Sequence, residues 1–222
     1  MTGSPERKAL QERARLAKER GEPLAWFEEI YAGDQLPPWA DLAPHPSLLA
    51  WLPAGAAPES GRALVVGCGL GDDAEALAER GFNVAAFDVS SSAIESCGQR
   101  WPNSRVDYRE MDAREPPAEW LGAFELVVEI YTLQAIPTEL RSPVLAGICS
   151  CLAPGGTLFL LCRGRDASEP QGEGPPWALS REDLEAMIPP GIRIASLSDF
   201  LDREDPPVRR LRLALVAPAE ET

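Results

Sequence analysis

Residues able to do chemistry cluster first at Leu64–Asp73, LVVGCGLGDD, where Gly67, Gly69 and Gly71 alternate behind an apolar run and Asp72 and Asp73 follow. A glycine turn lets the backbone approach a ligand closely. A helix starting there adds free N–H groups and the positive end of its dipole. A dinucleotide fingerprint would read GxGxxG, but Asp72 stands where its third glycine belongs. Two aspartates at a helix start repel a pyrophosphate and suit a ligand with a cationic end; alternatively they are only first-turn residues. Asp73 is favoured as the ligand contact and Asp72 as the helix's own charge. No GxxxxGK phosphate loop occurs.

Further acids close apolar segments. Asp88 ends FNVAAFD, about 20 residues beyond the glycines, where a carboxylate can accept both hydroxyls of a ribose. Val89 then suits one face of an adenine ring, Asp112 in REMDAR its amino group, and the Ala113 N–H a ring nitrogen. Glu129, at the tip of FELVVEI, is costly if buried alone, so it needs a partner or a ligand unless the sheet edge exposes it. The pattern is a nucleoside site with several carboxylates and no phosphate apparatus. S-adenosylmethionine, a nucleoside carrying an amino acid and a sulfonium, satisfies every feature.

Hydrophobic rhythm predicts the elements that position these residues. RALVV, FNVAAFD, RVDYREMD, FELVVEI, TLFLLCR, IRIASLSDF and VRRLRLALVA read as strands. DDAEALAER, SSAIESCGQR (capped by Ser90 or Ser91), TELRSPVLAGICSCLAP and SREDLEAMI (Ser180 to Asp183 capping) read as helices. Pro154 and Gly155 are expected to stop the third of these. Strands alternating with helices predict an α/β fold, a Rossmann-like doubly wound seven-stranded sheet, mostly parallel. The short link LDREDPP makes the C-terminal strand antiparallel. Residues 5–20 suit an amphipathic helix with Leu10, Ala14 and Ala17 on one stripe. Residues 21–60 hold too much proline for long helices, with a short helix at Pro46–Leu52. The expected organisation is one domain: an N-terminal lid segment, 1–60, and a Rossmann-like part, 61–222.

Composition narrows the classes. The 222 residues are 45% apolar with a net charge of -14. That field repels nucleic acid. The one basic cluster, Arg7 to Arg20, is interleaved with Glu6, Glu12 and Glu19 and reads as a solvated helix face. There is no run of about 18 apolar residues to enter a membrane, and the charged N-terminus is no secretory signal. Five scattered cysteines argue for a reducing, cytoplasmic setting. The Cys149/Cys151 pair lacks further nearby ligands, so no metal is expected. Nothing demands an oligomer; a monomer is expected, with a dimer open.

The sequence resembles a class I S-adenosylmethionine-dependent methyltransferase. GCGLG is similar to that family's first motif, FDVSSSAIE to its second and LAPGGTLFLL to its fifth-strand region, over roughly residues 61–163. Many members carry an acid two residues before the first glycine, where Val65 stands here. In this, and in WFEEIYAGDQLPPWADLAPHPSLLAWL and EIYTLQAIPTELR, the chain resembles the thiopurine and halide/thiol methyltransferase branch. The resemblance implies that the N-terminal segment folds over the cofactor and shapes the acceptor site. It places Trp26, Trp39 and Tyr131 at the substrate, and Trp39 also at the cofactor.

Methyl transfer from a sulfonium mainly needs alignment and exclusion of water. An alcohol acceptor also needs a base, whereas a thiol or selenol ionises readily near neutral pH. Candidate catalytic groups are few: His45, between Pro44 and Pro46, and Tyr131, which could hydrogen-bond or weakly activate an acceptor. This favours a soft small-molecule acceptor, a thiol, selenol or thiopurine. O- or N-methylation of a small metabolite or natural product is the alternative, and a non-catalytic S-adenosylmethionine-binding sensor or scaffold the rival outside enzymes. A nicotinamide-dependent oxidoreductase is disfavoured by the missing third glycine. EIYT replaces the Asn/Asp-Pro-Pro-aromatic signature of many amino-methylating enzymes of DNA and protein. Arg163 and Arg165 follow the fifth strand; they bind an acidic acceptor or pair with nearby carboxylates.

Overall fold

A computed structural model describes residues 5–55 and 57–219, so the first four residues of the charged N-terminal stretch lie outside it. The strands are β1 (Arg62–Val66), β2 (Asn83–Asp88), β3 (Asp107–Glu110), β4 (Phe124–Ile130), β5 (Leu152–Arg163), β6 (Arg193–Leu201) and β7 (Arg209–Val216). They form a seven-stranded sheet in the order β3-β2-β1-β4-β5-β7-β6. β1 to β5 pair in parallel, and β7 lies antiparallel to both β5 and β6. The Rossmann-like sheet expected from the sequence is therefore present. The chain winds outward from β1 to β3, then returns to lay β4 on the other side of β1. That reversal opens a crevice at the carboxyl ends of β1 and β4.

The helices are α1 (Pro5–Glu19), α2 (Ala25–Tyr31), α3 (Pro46–Trp51), α4 (Asp72–Glu79), α5 (Ser91–Arg100), α6 (Thr138–Ser150) and α7 (Arg181–Met187). Two apolar layers sandwich the sheet, and strand alternation sorts residues between them. Ala63 and Val65 join Leu48 and Trp51 of α3 and Leu77 of α4. Leu64 and Val66 join Leu145 and Ile148 of α6 and Leu184 of α7. β4 is buried on both faces from Leu126 to Glu129, as a central parallel strand should be.

One expectation is corrected. Pro154 and Gly155 do not stop a helix: α6 ends at Ser150, and both residues lie inside β5. There the pairing with β4 jumps from Phe124↔Leu152 to Leu126↔Thr157. A bulge absorbs a proline that cannot donate and a glycine at φ 73°. Within the proline-rich segment the seven-residue helix α2 also forms. Trp26 and Phe27 pack with ring centroids 4.1 Å apart, and the Trp39 ring meets both edge-on. Tertiary aromatic contact thus sustains a helix too short to stand alone.

Candidate active site

The crevice is a cavity of about 600 Å³, the size of a cofactor-plus-substrate site. Its floor is the turn after β1. Gly67 and Gly69 line it at φ 58° and 53°, and a Cβ on Gly67 would fall 2.4 Å from Thr132 Oγ1. Only glycine permits so close an approach. Gly71 is a correction: it does not line the cavity. A Cβ there would strike the Tyr108 hydroxyl at 2.4 Å, so Gly71 serves packing of the turn, and at φ 87° it precedes α4.

The two aspartates separate. Asp72 makes two 2.9 Å bonds to the Arg100 guanidinium, so its charge is neutralised locally. Asp73 has no cation partner among the described residues. It accepts the His45 N–H at 2.7 Å, and burial pushes its pKa up to about 6. The argument from two free charges at this turn therefore reduces to one. Asp88, 5% exposed at the end of β2, accepts the N–H groups of Gly69 and Ser90, each at 3.0 Å. Burial raises it too to about 6 despite these bonds. Val89, Asp112 and Ala113 line the same side. Asp112 is gripped by the Arg114 guanidinium, which holds its pKa down. Buried carboxylates without counter-cations, beside a glycine floor, fit a ligand bearing hydroxyls and an ammonium group.

Glu129 is a second correction. It is fully buried and does not line the cavity. Its Oε1 accepts the N–H groups of Thr132 at 2.6 Å and Leu133 at 3.0 Å, capping the 3-10 turn Leu133–Ala135. Its Oε2 has no partner, and burial pushes the pKa to about 7.

The N-terminal segment forms the opposite wall. Trp26 is 2% exposed and mostly core, with one edge toward the cavity. Trp39 is 39% exposed at the mouth and donates to the Tyr31 hydroxyl at 3.1 Å. That hydroxyl stands where a side chain on Gly69 would go, 2.8 Å from its Cβ position. Glu28 of α2 accepts both the Ser90 and Ser92 hydroxyls at 2.6 Å and the Ser92 N–H at 3.2 Å. A carboxylate at the start of α5 is favoured by that helix's dipole.

His45 and Tyr131, 86 residues apart, meet here: Nε2 lies 2.9 Å from the tyrosine hydroxyl. The Ser47 N–H donates to Nδ1 at 3.1 Å. Burial, then Arg210, lowers the pKa of the imidazole, so the ring is neutral and its one proton sits on Nε2. His45 therefore donates to Tyr131, and the phenol keeps its own O–H for a ligand. Burial also raises the Tyr131 pKa, which keeps the phenol protonated. Tyr131 is held at φ 68°, a left-handed conformation that costs an aromatic residue about 1–3 kcal/mol. Arg163 lines the cavity, whereas Arg165 is committed to Asp183 at 2.6 Å. Sequence reasoning missed Glu28, Tyr31, Gln134 and Arg210. Gln134 and Arg210 also line the cavity, and only strand register reveals Arg210.

Among the described residues no helix is long and apolar enough to cross a membrane, and no group of three or more His, Cys, Asp or Glu is placed to hold a metal. All five cysteines are free thiols.

Known proteins bear on this site. A protein solved in a study of the conversion of a disulfide bond into a thioacetal group during echinomycin biosynthesis superposes with a TM-score of 0.74 at 20% identity, covering 90% of this chain and 93% of that one. The N-methyltransferase NodS of Bradyrhizobium japonicum, in complex with S-adenosylhomocysteine, gives 0.66 at 22% identity, with 88% and 98% covered. The ubiquinone biosynthesis O-methyltransferase of Xanthomonas campestris is 34% identical over 118 residues, 52% of this chain and 48% of that protein. The chain spans about half the length of the curated relatives it matches. The family model described as Thiopurine S-methyltransferase (TPMT) matches residues 25–221. The chain therefore belongs to the thiopurine S-methyltransferase family.

Proposed function

We propose that this enzyme methylates a small soft nucleophile, a thiol, selenol or thiopurine-like sulfur. The observation that carries the reading is the state of His45. The one histidine of the chain has its Nδ1 filled by Ser47 and its Nε2 proton given to Tyr131, so it offers no lone pair to an acceptor. The lining carboxylates of Asp72 and Asp112 are spent on arginines and that of Asp88 on backbone N–H groups. An alcohol would find no base in this histidine, whereas a thiol arrives partly ionised.

S-adenosylmethionine, when bound, supplies an electrophilic methyl group on a sulfonium that carries its own leaving group. In this reading Gly67 and Gly69 line its seat, Asp88 accepts the ribose hydroxyls and Asp73 the ammonium. Val89, Asp112 and Ala113 frame the adenine. The work left to the chain is alignment and exclusion of water. Trp39 and the edge of Trp26 close the mouth, and Tyr131 orients the acceptor through its O–H. The name of the family and the sulfur chemistry of the echinomycin protein support a sulfur acceptor. The ubiquinone relatives make O-methylation the second reading. The free thiols support a reducing, cytoplasmic setting, and the charge of -14 argues against nucleic acid as acceptor.

Two measurements test this. Isothermal titration should show S-adenosylmethionine binding. Release of S-adenosylhomocysteine should rise above buffer with thiols but not with matched alcohols. Turnover of phenols or alcohols with none of thiols would transfer the reading to O-methylation, and no turnover of any acceptor would favour a binding role.

A further inference from the structure

Two arginines face each other across the sheet at the cavity. Arg163 ends β5 and Arg210 lies opposite it in β7; the two are partners in the antiparallel register, so their side chains share one face. Like charges directly opposite are destabilising, and such a pair persists when something negative lies between or beside it. Arg210 is 2% exposed. Its Nε donates to Asp202 at 2.6 Å and its Nη2 to Glu204, but its Nη1 is buried without a partner. Its guanidinium carbon lies 4.8 Å from the centre of the Tyr131 ring. The Arg163 guanidinium makes no hydrogen bond and no ion pair with a carboxylate among the described residues. Its pKa is lowered, by burial first and then by Arg210, against the pull of Glu204.

We propose that the methyl acceptor carries a compact anionic group, a carboxylate or its equivalent, seated by Arg163 beside the Tyr131 hydroxyl. This rests on the methyl-transfer reading of the same cavity and adds the acceptor's chemical class. Arg163 and Tyr131 both line the cavity there, with the buried Arg210 guanidinium against the Tyr131 ring. Arg163 supplies fixed charge, and Tyr131 supplies an O–H because His45 occupies its acceptor side. Arginine suits a carboxylate geometrically, since its planar fork can donate two parallel bonds. Asp202 and Glu204 already answer the charge of Arg210, so the uncompensated positive charge at this end of the cavity is that of Arg163. In a chain of net charge -14 the overall field does not draw anions in. Selectivity for an anionic acceptor therefore depends on this local charge.

The test uses the whole protein saturated with S-adenosylhomocysteine and two probes differing only in charge, para-mercaptophenylacetate and para-mercaptophenylacetamide. Affinities are read by calorimetry for wild type, Arg163→Met and Arg163→Lys. Wild type should bind the carboxylate about tenfold or more tightly than the amide, the scale of one charge-assisted hydrogen bond. Arg163→Met should bind both alike, and Arg163→Lys should keep part of the preference, which separates lost charge from misfolding. Equal affinities in wild type, or a preference that survives Arg163→Met, overturns the proposal. So does absence of carboxylate binding to protein that has taken up S-adenosylhomocysteine, and the cofactor assignment then stands. Failure to take up S-adenosylhomocysteine would instead strike at the cofactor site itself.

Discussion

A single hydrogen bond decides what Tyr131 can do. With the proton of His45 on Nε2, the tyrosine hydroxyl receives a bond on its lone pair and keeps its own proton. In the proposed reading it is a donor to the acceptor molecule and not a base. Tyr131→Phe should leave S-adenosylhomocysteine affinity unchanged and lower kcat/KM for an acceptor by about tenfold, the loss of one hydrogen bond of ordinary strength. Equal kcat/KM in both proteins would remove Tyr131 from the site. The aspartates carry a parallel argument. Asp73 keeps an uncompensated charge while Asp72 is bound to Arg100. An asparagine at 73 can still accept the His45 N–H, so Asp73→Asn removes charge with geometry kept. It should weaken S-adenosylmethionine more than Asp72→Asn does. Asp88→Ala should cost about 1–3 kcal/mol of cofactor affinity through lost charge-assisted bonds, read by titration. Unchanged affinity there would refute the ribose role.

At the scale of elements, the N-terminal wall is fastened to the sheet domain by Glu28. Its carboxylate gathers Ser90 and Ser92 at the start of α5, next to Asp88. Glu28→Ala should leave the melting temperature close to wild type, yet speed proteolytic clipping ahead of β1 and weaken S-adenosylhomocysteine binding. Clipping at the wild-type rate would show that aromatic packing alone holds the wall. The strands that shape the site were legible because apolar runs between turn residues leave little choice, and the Ser90 and Ser180 caps follow from local chemistry. α2 was not, because its stability comes from Trp39, outside the helix. Glu129 was assigned to the cavity because it lies at a strand end, whereas its carboxylate turns to the N–H groups of Thr132 and Leu133. Arg210 was hidden for another reason: it becomes the neighbour of Arg163 only when β7 pairs with β5 in this register.

The whole molecule carries an electrostatic load that the cofactor can relieve only in part. Burial raises Asp73 and Asp88 to about 6 and Glu129 to about 7. A group raised on folding adds stability that is fully present below its unfolded pKa and lost as pH rises through the folded one. The ligand-free protein should therefore be more stable at pH 5 than at pH 8. A bound ammonium can compensate Asp73 and ribose hydroxyls Asp88, so the thermal shift given by S-adenosylhomocysteine should be larger at pH 8. Glu129 is out of the ligand's reach and keeps its burden. Its rise from 4.5 to about 7 corresponds to about 3 kcal/mol at most. Glutamine at 129 can accept the same two N–H groups through Oε1 while abolishing the charge. The cost of burying its unpartnered NH2 does not depend on pH. Relative to wild type, Glu129→Gln should therefore gain stability between pH 5 and pH 8, by about 2–4 °C of melting temperature per kcal/mol in a domain of this size. A difference between variant and wild type that stays constant across that range would mean that folding does not raise the pKa of Glu129, as when its Oε2 finds a partner in solution.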